Sequence, residues 1–271
     1  MGRTWGFWGP MVKSSRPSSK NPFLPRYIQA DISSKPRLIG LSTGEVGSGK
    51  SSFWLGAPGP IVVQTLDQGL EGVVEKYAGD KEIYIAEYDL GQSGETFSHK
   101  MAVEAADKFE DDFAHAMQHA RTIIWDRESD MFPLFTYAES GTKDAFGAVA
   151  AKDWDLIKGR IRRMIAMAKA GDVNLGIIQG MKNEWVQKVN PRTGNSTGQP
   201  SGARIPSGMN DIDALVHITL EHIREDGEFT IKVGKARGPG GSAVQDQTYP
   251  AMSFVDFAML VFPDSTEDQW L

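Results

Sequence analysis

Residues Gly44-Glu45-Val46-Gly47-Ser48-Gly49-Lys50-Ser51 satisfy the pattern G-x-x-x-x-G-K-[ST]. They stand directly after Arg37-Leu38-Ile39-Gly40-Leu41-Ser42, an apolar run that reads as a buried strand. A strand, a glycine-rich turn and a helix start, in that order, commit the chain to an α/β arrangement in which the turn wraps a phosphate tail. The glycines let the backbone approach the phosphates and adopt positive φ. Successive N–H groups then point inward as an anion nest, and the helix opening at Gly49-Lys50 adds its positive end. Gly44, Glu45, Val46, Gly47, Ser48, Gly49, Lys50, Ser51 and Ser52 would surround the phosphates, with Lys50 on the β- and γ-phosphates and the Ser51 hydroxyl on Mg²⁺. ATP and Mg²⁺ are the cofactors this pattern implies.

The 271 residues suffice for one large α/β domain with arms or insertions. The absence of cysteine excludes a disulfide scaffold, a thiolate zinc site and a cysteine nucleophile. It fits a reducing cytoplasm. The first residues carry no long apolar stretch, so no signal peptide is expected, and no run is apolar enough to span a membrane. A net charge of −6 argues against a protein that coats duplexes, although local basic patches still attract nucleic acid.

Residues 1–36 read as a basic, Pro-broken N-terminal arm carrying Trp5, Phe7, Trp8, Phe23 and Tyr27. Such a segment stacks on bases, docks on a neighbouring subunit, or packs across its own domain. From residue 37 to 262 strands and helices alternate. The strands are 61–66, 82–86, 121–126 and 173–179; the helices are 50–55, 69–78, 101–120 and 152–170. Alternation of this kind predicts an α/β fold: a mostly parallel sheet covered by helices on both faces. Residues 181–210, rich in Gly, Pro, Asn, Ser, Thr, Lys and Arg, read as a long functional loop. The Asp226-Gly227 turn between two apolar runs predicts a C-terminal β-hairpin. Residues 263–271 form an acidic C-terminal tail, either frayed or docking.

Asp126 closes the strand Ile123-Ile124-Trp125 and is the expected second Mg²⁺ ligand. Hydrolysis also needs a carboxylate beside the γ-phosphate. Asp67, at a strand end, is first in line; Glu71 reads rather as a solvated helix residue, and Glu128 is a third candidate. Gln179 ends the next strand and is placed to sense the γ-phosphate, or else to bond local backbone. Lys235 and Arg237 follow the hairpin, as fingers reaching a neighbour's γ-phosphate or as solvated edge charge. His115 and His119 read as exposed surface rather than metal ligands.

The order of these parts resembles the RecA-like P-loop ATPases, most of all the phage nucleotide-binding proteins of the RecA-like single-strand annealing type. The likeness runs over roughly residues 37–240 and is carried by the phosphate loop, the Pro58 and Pro60 break, and the strand ending Thr65-Leu66-Asp67-Gln68-Gly69. That family usually has Asp-x-Glu-Gly there, so Asp67 stands where its catalytic Glu is expected, and Asp126 falls on its Walker B position. The strand ending in Gln179 and the segment Ile205-Pro206-Ser207-Gly208 are similar to its DNA-contacting loop, and Lys235 and Arg237 match its cations across the subunit interface. The resemblance implies a DNA-dependent ATPase that assembles as a ring or filament and anneals or pairs single-stranded DNA in recombination or replication, with a single-strand-binding protein as a further partner. Lys182, Trp185, Lys188, Arg192 and Arg204 would then hold the DNA. The alternatives are a helicase or DNA-packaging motor with the same core, and a small-molecule P-loop kinase.

Overall fold

The structure is a computed structural model. It describes residues 36–66, 69–70, 72–88, 97–141, 151–189 and 196–271, with the backbone alone at 151–152, 188–189 and 196–197. The chain divides into Met1–Ser34 and Lys35–Leu271. The arm at 1–35 lies outside the described residues.

Apolar runs with no polar alternation become strands covered on both faces. β1 (Ile39–Gly44), β2 (Ile61–Thr65), β4 (Thr122–Asp126) and β5 (Asn174–Ile178) are of this kind, with β3 (Ile83–Glu87) at one edge. On the other side come β8 (Ile218–Glu225), β9 (Glu228–Ala236) and β10 (Thr248–Pro250). The order across this eight-stranded sheet is β10-β9-β8-β1-β5-β4-β2-β3. From β8 to β3 every pair is parallel, while β9 runs antiparallel to both of its neighbours. The expected sheet and C-terminal hairpin are therefore present.

Successive residues of a strand face opposite sides, and two cores result. On one side Ile39, Leu41, Ile123, Trp125, Leu175 and Ile177 meet α2 (His99–His119), α3 (Glu128–Ser140) and α4 (Ala151–Ala170), which contribute Phe109, Phe113, Phe135, Ile157 and Ile161. On the other, Val63, Ile124, Ile178 and Leu220 meet α1 (Lys50–Leu55) and α7 (Phe254–Val261). Two short helices, α5 (Ile212–Leu215) and α6 (Gly241–Val244), lie between strands. The depth of α1 is set by Trp54, which is fully buried. A Cβ on Gly176 would lie 2.3 Å from the Trp54 ring, so only glycine permits that approach.

Three sequence expectations are corrected, and one helix is new. The helix at 69–78 shrinks to a single 3₁₀ turn, Val74–Lys76; the backbone at Gly72 has φ +77, which a helix cannot hold. α3 has no counterpart among the expected elements; Pro133 lies in its second turn, and the helix buries Met131, Leu134 and Phe135. Residues 181–210 are not an irregular loop but chiefly a separate antiparallel ribbon of β6 (Met181–Val189) and β7 (Ser196–Pro206). The residues of this ribbon carry no apolar alternation, so the period of two left no trace in the sequence.

The C-terminus is not frayed. Trp270 is fully buried against Phe254 and Phe262, its indole N–H donates to Ser265 Oγ at 2.8 Å, and Thr266 and Gln269 close a capping box. The Trp270→Ala variant is expected to lose about 3–5 kcal/mol of unfolding free energy, as truncation of a buried aromatic does. Urea denaturation followed by tryptophan fluorescence measures it, and a loss within about 0.5 kcal/mol, as for an exposed site, would mean the tail is dispensable.

Candidate functional site

Parallel strands deliver their following loops to one edge of the sheet. Here Ser42 of β1 pairs with Ile178 of β5, which pairs with Asp126 of β4, which pairs with Thr65 of β2. The phosphate loop, Asp126 and Gln179 therefore share that edge, with β5 between the loop strand and the acid strand. Asp67, Gln68 and Glu71 lie outside the described residues.

The loop turns through left-handed backbone at Gly47 (φ 76) and Gly49 (φ 96), and Gly49 is the N-cap of α1. Lys50 follows at the first helical position and folds back over the loop: Nζ donates to the carbonyls of Gly44 at 2.9 Å and Glu45 at 2.6 Å. Burial lowers the Lys50 pKa below the usual lysine value, with Asp126 and Glu45 pulling it back up. Ser51 Oγ donates to Asp126 Oδ2 at 2.8 Å, and Asp126 is itself buried. A hydroxyl and a carboxylate oxygen in contact, within a cavity that also holds Lys50, fit a Mg²⁺ that takes one or two protein oxygens and completes its shell with phosphate and water.

The same cavity is lined by Ser52, Arg127, Gly180, Arg204, Ser207 and Phe229. Arg127 was not singled out in the sequence; it follows Asp126 and pairs with Asp130 at 3.4 Å. Adjoining the cavity across Gly49 and Ser52 is a mainly apolar slot lined by Phe53, Tyr77, Phe229, Ile231 and Met252. Phe229 lines both. Its place is set by β8, whose His222 pairs with Gly44, so the Asp226-Gly227 turn projects beside the phosphate loop. The sequence shows the turn; only the pairing of β8 with β1 shows what it borders.

Two expectations about side chains change. Glu128 is fully buried and cannot orient solvent; its Oε2 accepts from Gln179 Nε2 at 2.7 Å and its Oε1 from Met209 N at 3.2 Å. Burial raises its pKa to about 8, against the pull of those two donors. Gln179 spends its amide on Glu128 and on the Met209 carbonyl at 3.3 Å rather than reaching into the cavity. A buried carboxyl group still needs hydrogen-bond partners, and the pair ties the ends of β4 and β5 to the chain leaving β7.

Of the residues expected on DNA, Trp185 is 65% exposed on β6 and Lys182 is half-buried. The Lys188 side chain and all of Arg192 lie outside the described residues. Arg204 points at the phosphate loop, pairing with Glu45 at 2.9 Å. Lys235 and Arg237 lie toward the opposite edge. Arg237 N donates to His217 O and His217 N to Ile39 O, five residues and roughly 17 Å along β1 from Gly44. Lys235 Nζ donates to the Asp213 and Ala214 carbonyls. Neither cation faces this chain's own phosphate loop.

No protein family matches the sequence, and no curated protein does. Among solved structures, a KaiC-like protein from Pyrococcus horikoshii OT3 is similar over 79% of this chain and 85% of its own, at 13% identity and a TM-score of 0.37. The flagellar accessory protein FlaH from Methanocaldococcus jannaschii is similar over 81% and 88%, at 13% identity and 0.38. An ATPase from the type III secretion system of pathogenic bacteria is similar over 70% of this chain and 53% of its own, at 12% identity and 0.37. Similarities of this size leave the functional reading to the chain's own loop, strand order and side chains.

Gln179→Ala strips a donor from a fully buried carboxyl group, which burial keeps largely protonated at neutral pH. It is expected to cost about 1–3 kcal/mol of stability, measured by urea denaturation at neutral pH. A neutral result would mean that Glu128 finds another partner.

Proposed function

We propose that this protein is a RecA-like P-loop ATPase that binds Mg²⁺·ATP, self-associates as a ring or filament, and anneals or pairs single-stranded DNA in phage-type recombination or replication. The observation that carries the nucleotide part is the contact of Ser51 with Asp126 in the cavity that holds Lys50 and the loop amides. The insertion of β5 between their strands agrees with it.

In this reading the amides of residues 44–52 and Lys50 hold the phosphates, and Ser51 and Asp126 hold Mg²⁺, which would neutralise phosphate charge. The nucleobase lies in the apolar slot against Phe229, where a flat ring gains stacking and burial. Asp67 orients the attacking water. Gln179, through Glu128 and Met209, links the phosphate edge to the root of the β6–β7 ribbon. Lys235 and Arg237, turned from their own loop, serve the γ-phosphate of a neighbouring subunit.

The ribbon is the DNA surface. Trp185 is exposed and offers a stacking platform; base stacking combined with cations on the backbone binds single strands without sequence preference. Trp185 stacks a base, and Lys182, Lys188 and Arg192 contact phosphates.

ATP turnover by the wild-type chain is expected to rise on adding single-stranded DNA, and both basal and stimulated turnover to vanish in Lys50→Ala. Turnover indifferent to DNA would favour the kinase alternative. Trp185→Ala is expected to weaken single-strand binding by about 1–3 kcal/mol. Lys182→Ala should shallow the dependence of log K on log salt by about 0.7. Fluorescence anisotropy with a labelled oligonucleotide across a salt series measures both, and unaltered affinity in the two variants would take the ribbon out of the DNA site.

A further inference from the structure

The arginine at the root of the ribbon is exposed but turns toward the phosphate loop. Arg204 sits opposite Asn183 in the β6–β7 ladder and directs its guanidinium toward the phosphate loop. Its Nη2 donates to Glu45 Oε2 at 2.9 Å and to the Met181 carbonyl at 3.0 Å, and its Nη1 to Asn183 Oδ1 at 3.1 Å. It lines the same cavity as Lys50, Ser51 and Asp126. Two cations thus hang on one loop residue: Lys50 on the carbonyl of Glu45, Arg204 on its carboxylate.

We propose that Arg204 is a phosphate-binding residue of its own chain's nucleotide site, one that grips the terminal phosphate of a triphosphate and so ties the β6–β7 ribbon to nucleotide state. The proposal rests on the reading of residues 44–51 as a triphosphate loop.

The Arg204–Glu45 pair is partly exposed on both sides, and exposed pairs of this kind contribute little. A terminal phosphate offers a doubly charged, three-oxygen acceptor that suits the planar fork of a guanidinium better than a single carboxylate oxygen does. A triphosphate brought against the loop also repels the Glu45 carboxylate, so the same event loosens the old partner and supplies a stronger one. A diphosphate ends one phosphate earlier and leaves the pair in place.

The ribbon is built to pass that exchange on. Its ladder carries a register shift between Asn183 and Trp185, where a strand bends. Arg204 is paired on the root side of this shift, and Trp185 lies immediately beyond it. A displacement of Arg204 toward the phosphates therefore re-aims the exposed indole. By linkage, a strand bound on the ribbon and a triphosphate bound in the loop change each other's affinity by the same factor, and Arg204 is the link.

The test is equilibrium binding of Mg²⁺·ATPγS and Mg²⁺·ADP to the full chain by calorimetry, for wild type, Arg204→Ala, Arg204→Lys and Glu45→Gln, with thermal unfolding of each. Arg204→Ala is expected to weaken ATPγS about tenfold or more and ADP by less than about threefold, with unfolding unchanged. Arg204→Lys should recover part of the loss, because it returns the charge without the fork. Glu45→Gln, which removes the competing carboxylate, should tighten ATPγS. Equal weakening of both nucleotides in Arg204→Ala, or none, would overturn the proposal. So would a Glu45→Gln variant that loses ATPγS as Arg204→Ala does, since the pair would then be a brace. Wild type that binds neither nucleotide would remove the triphosphate-loop reading and this inference with it; wild type that binds both, with an unaltered ratio in Arg204→Ala, removes this inference alone.

Discussion

Parallel strands empty their loops at one edge, and the register of β1, β5 and β4 makes that edge a site. Ser42, Ile178 and Asp126 are aligned across three strands, so the glycine turn and the acid meet without any long connection. The 2.8 Å bond from Ser51 to Asp126 depends on how deep α1 sits, and that depth depends on Trp54 lying against a sheet surface stripped of side chains at Gly40 and Gly176. A volume rule inside the core thus decides a distance at the surface, as close packing of protein interiors implies.

The site also sets unlike charges against one another at the cavity edge. Lys50 and Arg204 rest on acceptors that the loop itself provides, while Asp126 accepts from Ser51. Glu128, two residues further on, is sealed away with Gln179 and Met209, which satisfy its buried carboxyl oxygens. Two nearby acids in one strand-to-helix connection therefore take opposite parts, one on the cavity and one in the frame that joins β4, β5 and the ribbon. Both are buried, and position and partners separate them: Asp126 lines the cavity beside Ser51, and Glu128 is bonded to Gln179 and Met209.

Strands and helices with strong apolar periods were legible within one or two residues: β1, β2, β4, β5, α2 and α4 lie where the pattern places them. The weak points share a cause. The β6–β7 ribbon buries neither face in the main sheet, so its sequence carries no alternation. α3 hides behind Pro133, which is tolerated near a helix start. Trp270 sits among acids that read as a solvated tail, yet the indole alone reaches the core. In each case the deciding contact is made by a residue whose sequence neighbours point the other way.

The amino-acid order alone spells out the glycine-rich turn, because eight consecutive residues supply the glycines, the lysine and the hydroxyl, and none of them needs a distant partner. It likewise determined the alternation of strands and helices, since burial imprints its period locally. Which distant groups surround that loop follows from long-range pairing instead. Strand order brought Phe229 beside it, turned Arg204 inward from the ribbon, and carried Lys235 and Arg237 toward the far edge. Pairing across the sheet joins residues more than a hundred positions apart, and no local pattern records which strand lies next to which.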